Sequence, residues 1–118
     1  MEEMKELELV VKAADGKRAE NTIALNVREI STLADYFVIT SADSNRQVSA
    51  IADAIIEKAK ENNIDIRRIE GQKQADWILI DLGNVVVNVF QTDQRKYYNL
   101  EKLWAKAENV ELTDWISD

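Results

Sequence analysis

Acidic side chains are the main candidates for chemistry in this chain, because two other reactive residue types are missing. The 118 residues include no histidine and no cysteine. That composition removes the commonest general base, the commonest metal ligand and any thiolate nucleophile. Glycine occurs only three times, so no glycine-rich phosphate-binding loop is present. Paired carboxylates are the remaining catalytic option.

The aspartates near the predicted strands do not converge on one point. Asp76 and Asp81 are five residues apart, so on one strand they point to opposite faces. Asp35 and Asp43 flank another strand and would lie roughly 20 Å or more apart. Whether Asp35 approaches Asp81 across neighbouring strands is left open by the sequence. We therefore expect no enzymatic activity, no metal and no cofactor.

The charge balance limits the choice of partner. Fifteen basic and 22 acidic residues give a net charge of −7, which argues against non-specific binding to DNA. An acidic surface suits a basic protein partner, although it also serves solubility alone. The acidic N-terminus lacks the basic start of a secretory signal, and no apolar run reaches the roughly 18 residues of a membrane span. These features predict a cytoplasmic protein with no membrane or small-molecule partner.

The pattern of apolar residues predicts one α+β domain over residues 1–118. Its core covers about residues 5–107, and the acidic tail at 108–118 is expected to be solvated and mobile. Ser44 and Gln47 have the spacing of a helix capping box. A mixed five-stranded sheet packed with helices follows from this order of elements. The predicted helices span residues 2–14, 44–63 and 94–107, and the predicted strands span residues 22–27, 35–41 and 64–69 and two segments within 76–90.

The two strands within residues 76–90 form the most informative segment. Gly83 and Asn84 have the composition of a two-residue hairpin turn, which fixes the register of the strands. One face is then wholly aliphatic and predicts a core. The other face needs either a covering helix or a partner molecule, and the pattern favours neither. That second face carries Trp77, Leu79, Asp81, Val86, Asn88 and Phe90.

Two other polar or aromatic runs have both a structural and a functional interpretation. The run 41–47 is interpreted as a helix cap in preference to an anion or partner contact. The run 97–104 predicts a packing helix in preference to a binding site. Its expected buried stripe consists of Tyr97, Leu100, Leu103, Trp104 and Ala107.

Six motifs in this order resemble the bacterial ribosomal silencing factor family, which is related to the plant Iojap protein. The similarity covers about residues 5–105. The motifs are DYFVITS at 35–41, S-x-RQV at 44–48, EG at 70–71, ADWILIDLG at 75–83, VVVNVF at 85–90 and R-x-x-Y-x-LE-x-LW at 95–104.

The resemblance implies a function that requires no catalysis. Members of the family bind the large ribosomal subunit through ribosomal protein number fourteen. They block the joining of the small subunit and repress translation when nutrients are scarce. The implied fold is a nucleotidyltransferase-like core without its catalytic acids, and free members commonly form homodimers. The alternatives are a metal-dependent nucleotidyltransferase-like enzyme and a module that only dimerises.

The resemblance and the hairpin pattern together suggest a contact surface. Trp77, Leu79, Asn88 and Phe90 are predicted to form its centre. The rim candidates are Asp76, Asp81 and Glu70, and the secondary candidates, by motif membership, are Tyr36, Arg46 and Tyr98.

Two positions depart from the family pattern. The family usually has glycine at the position of Ala42 and often histidine at that of Asn88. Alanine disfavours a left-handed turn, and asparagine can form hydrogen bonds but cannot change its charge.

Overall fold

A computed structural model describes residues 2–116 as a mixed six-stranded sheet with helices on both faces. The helices are α1 (Glu2–Gly16), α2 (Asn45–Glu61), α3 (Thr92–Tyr98) and α4 (Leu100–Leu103). The strands are β1 (Glu20–Asn26), β2 (Tyr36–Ala42), β3 (Arg68–Glu70), β4 (Trp77–Asp81), β5 (Val85–Gln91) and β6 (Glu108–Asn109). The predicted α+β class and mixed sheet are confirmed, and β6 is an additional strand.

The spatial order of the strands is β3-β4-β5-β2-β1-β6. The central pair, β2 and β5, is parallel, and the other four pairs are antiparallel. Helix α2 provides the crossover that a parallel pair requires, because the chain must return to the same end of the sheet.

The larger part of the core lies between this sheet and helices α1 and α2. The α2 stripe has helical spacing and is buried at Val48, Ile51 and Ile55. It packs against the aliphatic face of the β4–β5 hairpin, whose residues are at most 5% exposed. The predicted core face of the hairpin is therefore confirmed. That face consists of Ile78, Ile80, Leu82, Val85, Val87 and Val89.

The hairpin turn has the predicted composition and register. Gly83, the first of the two turn residues, has φ +90°, as a turn with glycine in that position requires. Its N–H donates to the Asp81 carboxylate at 2.8 Å. Trp77 consequently lies directly opposite Phe90, as predicted from the sequence.

The start of α2 is a simple N-cap. The Ser44 hydroxyl accepts a hydrogen bond from the Gln47 backbone N–H at 3.1 Å, which confirms half of the capping box. The Gln47 side chain instead donates to the Lys17 carbonyl at 3.0 Å and so ties α2 to the end of α1. Ala42 is a buried strand residue, so its position makes no left-handed turn.

The predicted helix over residues 94–107 is wrong in its continuity. Asn99 adopts left-handed backbone angles (φ 49°, ψ 56°) and separates α3 from α4. Asparagine tolerates this conformation better than most residues. The break turns Tyr97 and Leu103 outward, where they are 79% and 75% exposed. The predicted stripe therefore fails at those two residues, whereas Leu100, Trp104 and Ala107 do pack against the sheet.

The prediction of a solvated tail is wrong for the described residues 108–116. Strand β6 pairs with β1 through Glu108 and Asn109. Leu112 is 8% exposed and belongs to the main core, and Trp115 packs against it. The prediction failed because it relied on the acidic charge of the tail and not on these apolar residues.

Strand β3 is shorter than the predicted segment 64–69. Asn63 has φ 58°, and the Ile64 N–H bonds back to the Ala59 carbonyl at the end of α2. Hydrogen bonding to β4 therefore begins only at Arg67, whose N–H donates to the Asp81 carbonyl.

Candidate partner-binding surface

An aromatic stack lies on the sheet face opposite α1 and α2. The Trp77 ring stacks on Phe90 with centroids 4.9 Å apart, because the two residues are cross-strand partners. Tyr98, at the end of α3, contacts the Trp77 ring at a centroid distance of 4.8 Å. The Trp77 indole N–H donates to the Asn88 side-chain oxygen at 3.0 Å. The tryptophan ring is therefore held in one orientation by three neighbours.

Two of the four predicted central residues lie below the surface. Phe90 is fully buried and Asn88 is 1% exposed. Tyr98 lies over Phe90, and Asn88 bonds to Trp77 and to the Val38 carbonyl. The prediction that Asn88 and Phe90 belong to the accessible surface is therefore wrong. They support the tryptophan from beneath.

The accessible part of this region is a small apolar surface. Trp77 and Leu79 are half-buried and share a face, since they are two residues apart on β4. Tyr98 is 48% exposed beside Trp77, and Tyr97 makes an edge-to-face contact with Tyr98 at 5.1 Å. We call these four residues the Trp77 surface. Tyr97 was missed because the predicted continuous helix placed it in a buried stripe.

Each predicted rim acid has a local partner. Asp76 accepts a hydrogen bond from the Asn45 side chain at 2.7 Å. Asp81 accepts from the N–H of the hairpin turn. Glu70 pairs with Arg68 at 3.1 Å and lies opposite Leu79 across the β3–β4 ladder. Asp76 and Asp81 therefore hold the chain at the two ends of β4, whereas Glu70 is exposed on β3.

The secondary candidates occupy three different environments. Tyr36 is 4% exposed and belongs to the main core, where its hydroxyl donates to the Met4 sulfur at 3.3 Å. It is therefore not an accessible contact residue. Arg46 is exposed in the first turn of α2, and Tyr98 alone of the three lies on the Trp77 surface.

The carboxylates of residues 2–116 do not assemble a metal centre. Within that range, no group of three or more acidic side chains is placed to hold an ion. Strand β5 separates β2 from β4, so the open question of Asp35 and Asp81 is answered: they are not on neighbouring strands. Over the same residues, no helix is long and apolar enough to cross a membrane.

Comparison with known proteins agrees with the sequence motifs. A family model described as "Ribosomal silencing factor during starvation" matches residues 1–118. A ribosomal silencing factor from Halalkalibacterium halodurans is 53% identical over 111 residues, covering 94% of this chain and 95% of that protein. Chloroplastic Iojap from maize is 32% identical over 103 residues, covering 87% of this chain and 45% of that protein. The predicted family resemblance is confirmed.

A solved structure shares the same fold. A crystal structure of a protein from Bacillus halodurans superposes with a TM-score of 0.84 at 50% sequence identity. The match covers 92% of this chain and 99% of that one. The name of the curated bacterial relative describes a regulatory factor rather than a catalyst.

Proposed function

Because this chain belongs to the ribosomal silencing factor family, we propose that it binds the large ribosomal subunit through ribosomal protein number fourteen. Bound there, it occupies space that the small subunit needs and so represses translation. This mechanism requires a stable contact surface and bulk, and it requires no chemistry. A cytoplasmic location follows from that role.

The observation that carries the proposal is the Trp77 surface. Aromatic anchors at the centre of an interface can contribute about 2 kcal/mol or more each, which is roughly 30-fold in affinity. Trp77 is already stacked on Phe90 and hydrogen-bonded to Asn88. Binding therefore loses little side-chain entropy at this residue, because its rotamer is fixed beforehand.

Charge supports a basic protein partner. The chain carries a net charge of −7, and Asp76, Asp81 and Glu70 lie around the apolar centre. Rim charges mainly raise the association rate and make it depend on salt. A basic ribosomal protein would be attracted by this arrangement, whereas bare RNA phosphates would be repelled.

A homodimer is the second candidate, favoured by the exposed rings of Tyr97 and Tyr98. A second copy of the chain could cover the Trp77 surface when no ribosome is present. The dimer would then have to dissociate before the large subunit binds. Light scattering of the free protein measures this state, and Trp77→Ala should give monomers if the surface is shared.

Co-sedimentation with isolated large subunits tests the proposal, followed by a joining assay with small subunits. The wild-type chain should sediment with large subunits and reduce joining in proportion to its occupancy. Leu79→Ala should weaken both effects. The matched control is Leu9→Ala, because Leu9 is also half-buried but lies on α1, which packs on the other face of the sheet. Binding without inhibition of joining would refute the silencing mechanism.

A further inference from the structure

Arg95 links three segments of the chain from beneath α3. Its Nε donates to the Glu101 carboxylate at 3.0 Å, and its Nη1 donates to the Ser41 hydroxyl at 2.9 Å and to the Glu20 carbonyl at 3.4 Å. The Arg95 side chain is only 11% exposed. One guanidinium therefore joins α4 to the first two strands of the sheet.

The segment that Arg95 holds is short and has no fully buried side chain. Helix α3 has seven residues and α4 has four, and neither contains a buried residue. Helices of this length are not stable in isolation, and the left-handed Asn99 between them interrupts the helical hydrogen bonds. The position of the segment therefore depends on its contacts with the sheet.

The Arg95–Glu101 pair is poorly arranged for stability alone. The second carboxylate oxygen of Glu101, Oε1, is buried and has no hydrogen-bond partner among the described residues. The Glu101 side chain is 36% exposed, and a partly solvated ion pair contributes little to stability. The pair is better explained by the geometry it imposes, because it fixes the angle between α3 and α4 at the Asn99 break.

Tyr98 is the side chain whose position this geometry decides. It follows Arg95 by three residues, at the end of α3 and one residue before the break. Its ring contacts Trp77 and lies over Phe90. A change in the tilt of α3 would therefore lift the ring that completes the accessible aromatic surface.

We propose that Arg95 and Glu101 are positioning residues that hold Tyr98 against Trp77 and thereby form the docking surface. This inference rests on the proposed function for its consequence in binding. The positioning itself is a property of the free protein. Only with the ion pair in place do the rings of Trp77 and Tyr98 present one continuous surface.

The indole N–H resonance of Trp77 in the free protein tests the positioning directly. The resonance is assigned by its loss in Trp77→Phe, and Tyr98→Ala gives the reference position without the tyrosine ring. Arg95→Gln and Glu101→Gln should each move the resonance towards that reference. Lys96→Gln is the matched control, because it removes one exposed positive charge from the same helix. Glu101→Gln keeps the test decisive if Arg95→Gln does not fold.

Large-subunit binding of the same variants provides the second readout. Arg95→Gln and Glu101→Gln should weaken it about as much as Tyr98→Ala, whereas Lys96→Gln should not. An unmoved Trp77 resonance in folded Glu101→Gln protein would overturn the proposal. A moved resonance with unchanged affinity, in an assay where Leu79→Ala loses affinity, would also overturn it. If the wild-type chain does not bind large subunits, the proposed function fails, and the resonance still decides the positioning.

Discussion

Replacement of Trp77 by alanine separates the two roles of this side chain, which supports the fold and contacts the partner. The change removes ring contacts with Phe90 and Tyr98, each of which contributes about 0.5–1.5 kcal/mol. It also leaves the buried Asn88 oxygen without its donor, at a cost of about 1–3 kcal/mol. Water entering the gap recovers part of that cost, because Trp77 is half-buried rather than buried.

We therefore expect Trp77→Ala to reduce the free energy of unfolding by about 2–4 kcal/mol. A domain of ordinary stability, about 5–15 kcal/mol, remains mostly folded after such a loss. Urea unfolding followed by far-ultraviolet circular dichroism measures the change. Trp77→Phe keeps a stacked ring and should cost about 1–2 kcal/mol.

Binding is then measured per folded molecule, at a protein concentration corrected by the unfolding data. Trp77→Ala should weaken large-subunit binding about 30-fold or more. Leu79→Ala removes a half-buried side chain from the same surface and should weaken it with a smaller loss of stability. Wild-type affinity per folded molecule in both variants would refute the assignment of the Trp77 surface. A stability loss below about 0.5 kcal/mol in Trp77→Ala would refute the stacking argument.

Three further predictions concern the loop before β4, the tail and the rim. Gly71→Ala should lower the free energy of unfolding by about 2–3 kcal/mol in thermal melts. The reason is that Gly71 has φ +86° and a Cβ there would lie 2.0 Å from the Trp77 carbonyl oxygen. An unchanged melting temperature would contradict that geometry. Leu112→Ala should lower the free energy of unfolding by about 2 kcal/mol and make the tail sensitive to protease. A solvated tail would show neither effect. Glu70→Gln should slow association with large subunits about two-fold at low salt and have no effect at high salt, because rim charges act through screened fields; equal slowing at both salt concentrations would contradict a rim role.

The hairpin could be predicted from sequence because every determinant of it is local. The Gly83-Asn84 turn sets the register, and strict alternation separates the aliphatic face from the aromatic one. The contact of Trp77 with Phe90 follows from those two facts. The same logic could not tell which residues of the second face are accessible, since that depends on a segment that follows the hairpin.

The break at Asn99 could not be predicted because the apolar spacing continues across it. Residues 97, 100, 104 and 107 have helical spacing whether or not one helix contains them all. Asn99 takes the left-handed conformation in a setting fixed by Arg95. The Arg95 side chain bonds to Glu20 and Ser41, which lie 75 and 54 positions earlier in the chain. A window of local sequence contains no information about such partners.

The tail was mispredicted for a different reason. Residues 108–118 carry four acidic and no basic side chains, and the prediction relied on this charge rather than on the spacing of the apolar residues. The four anchors all contact the core, and they are Val110, Leu112, Trp115 and Ile116. The intervening residues Thr113 and Asp114 are exposed. The spacing of its few apolar residues was the available signal.

The second face of the hairpin is buried along β5, where Val86, Asn88 and Phe90 are at most 8% exposed, and only half-buried along β4. The short lengths of α3 and α4 limit how much of the sheet they can cover. Seven and four helical residues span roughly 10 Å and 6 Å, whereas the strands from β3 to β1 span about 19 Å across the sheet. Tyr98 reaches the Trp77 end of β4, and Trp104 reaches Phe37 on β2. Leu79 and Asp81 on β4 remain half-buried. A partner that buries Leu79 must therefore also approach the edge strand β3, which brings it against Glu70, the cross-strand neighbour of Leu79.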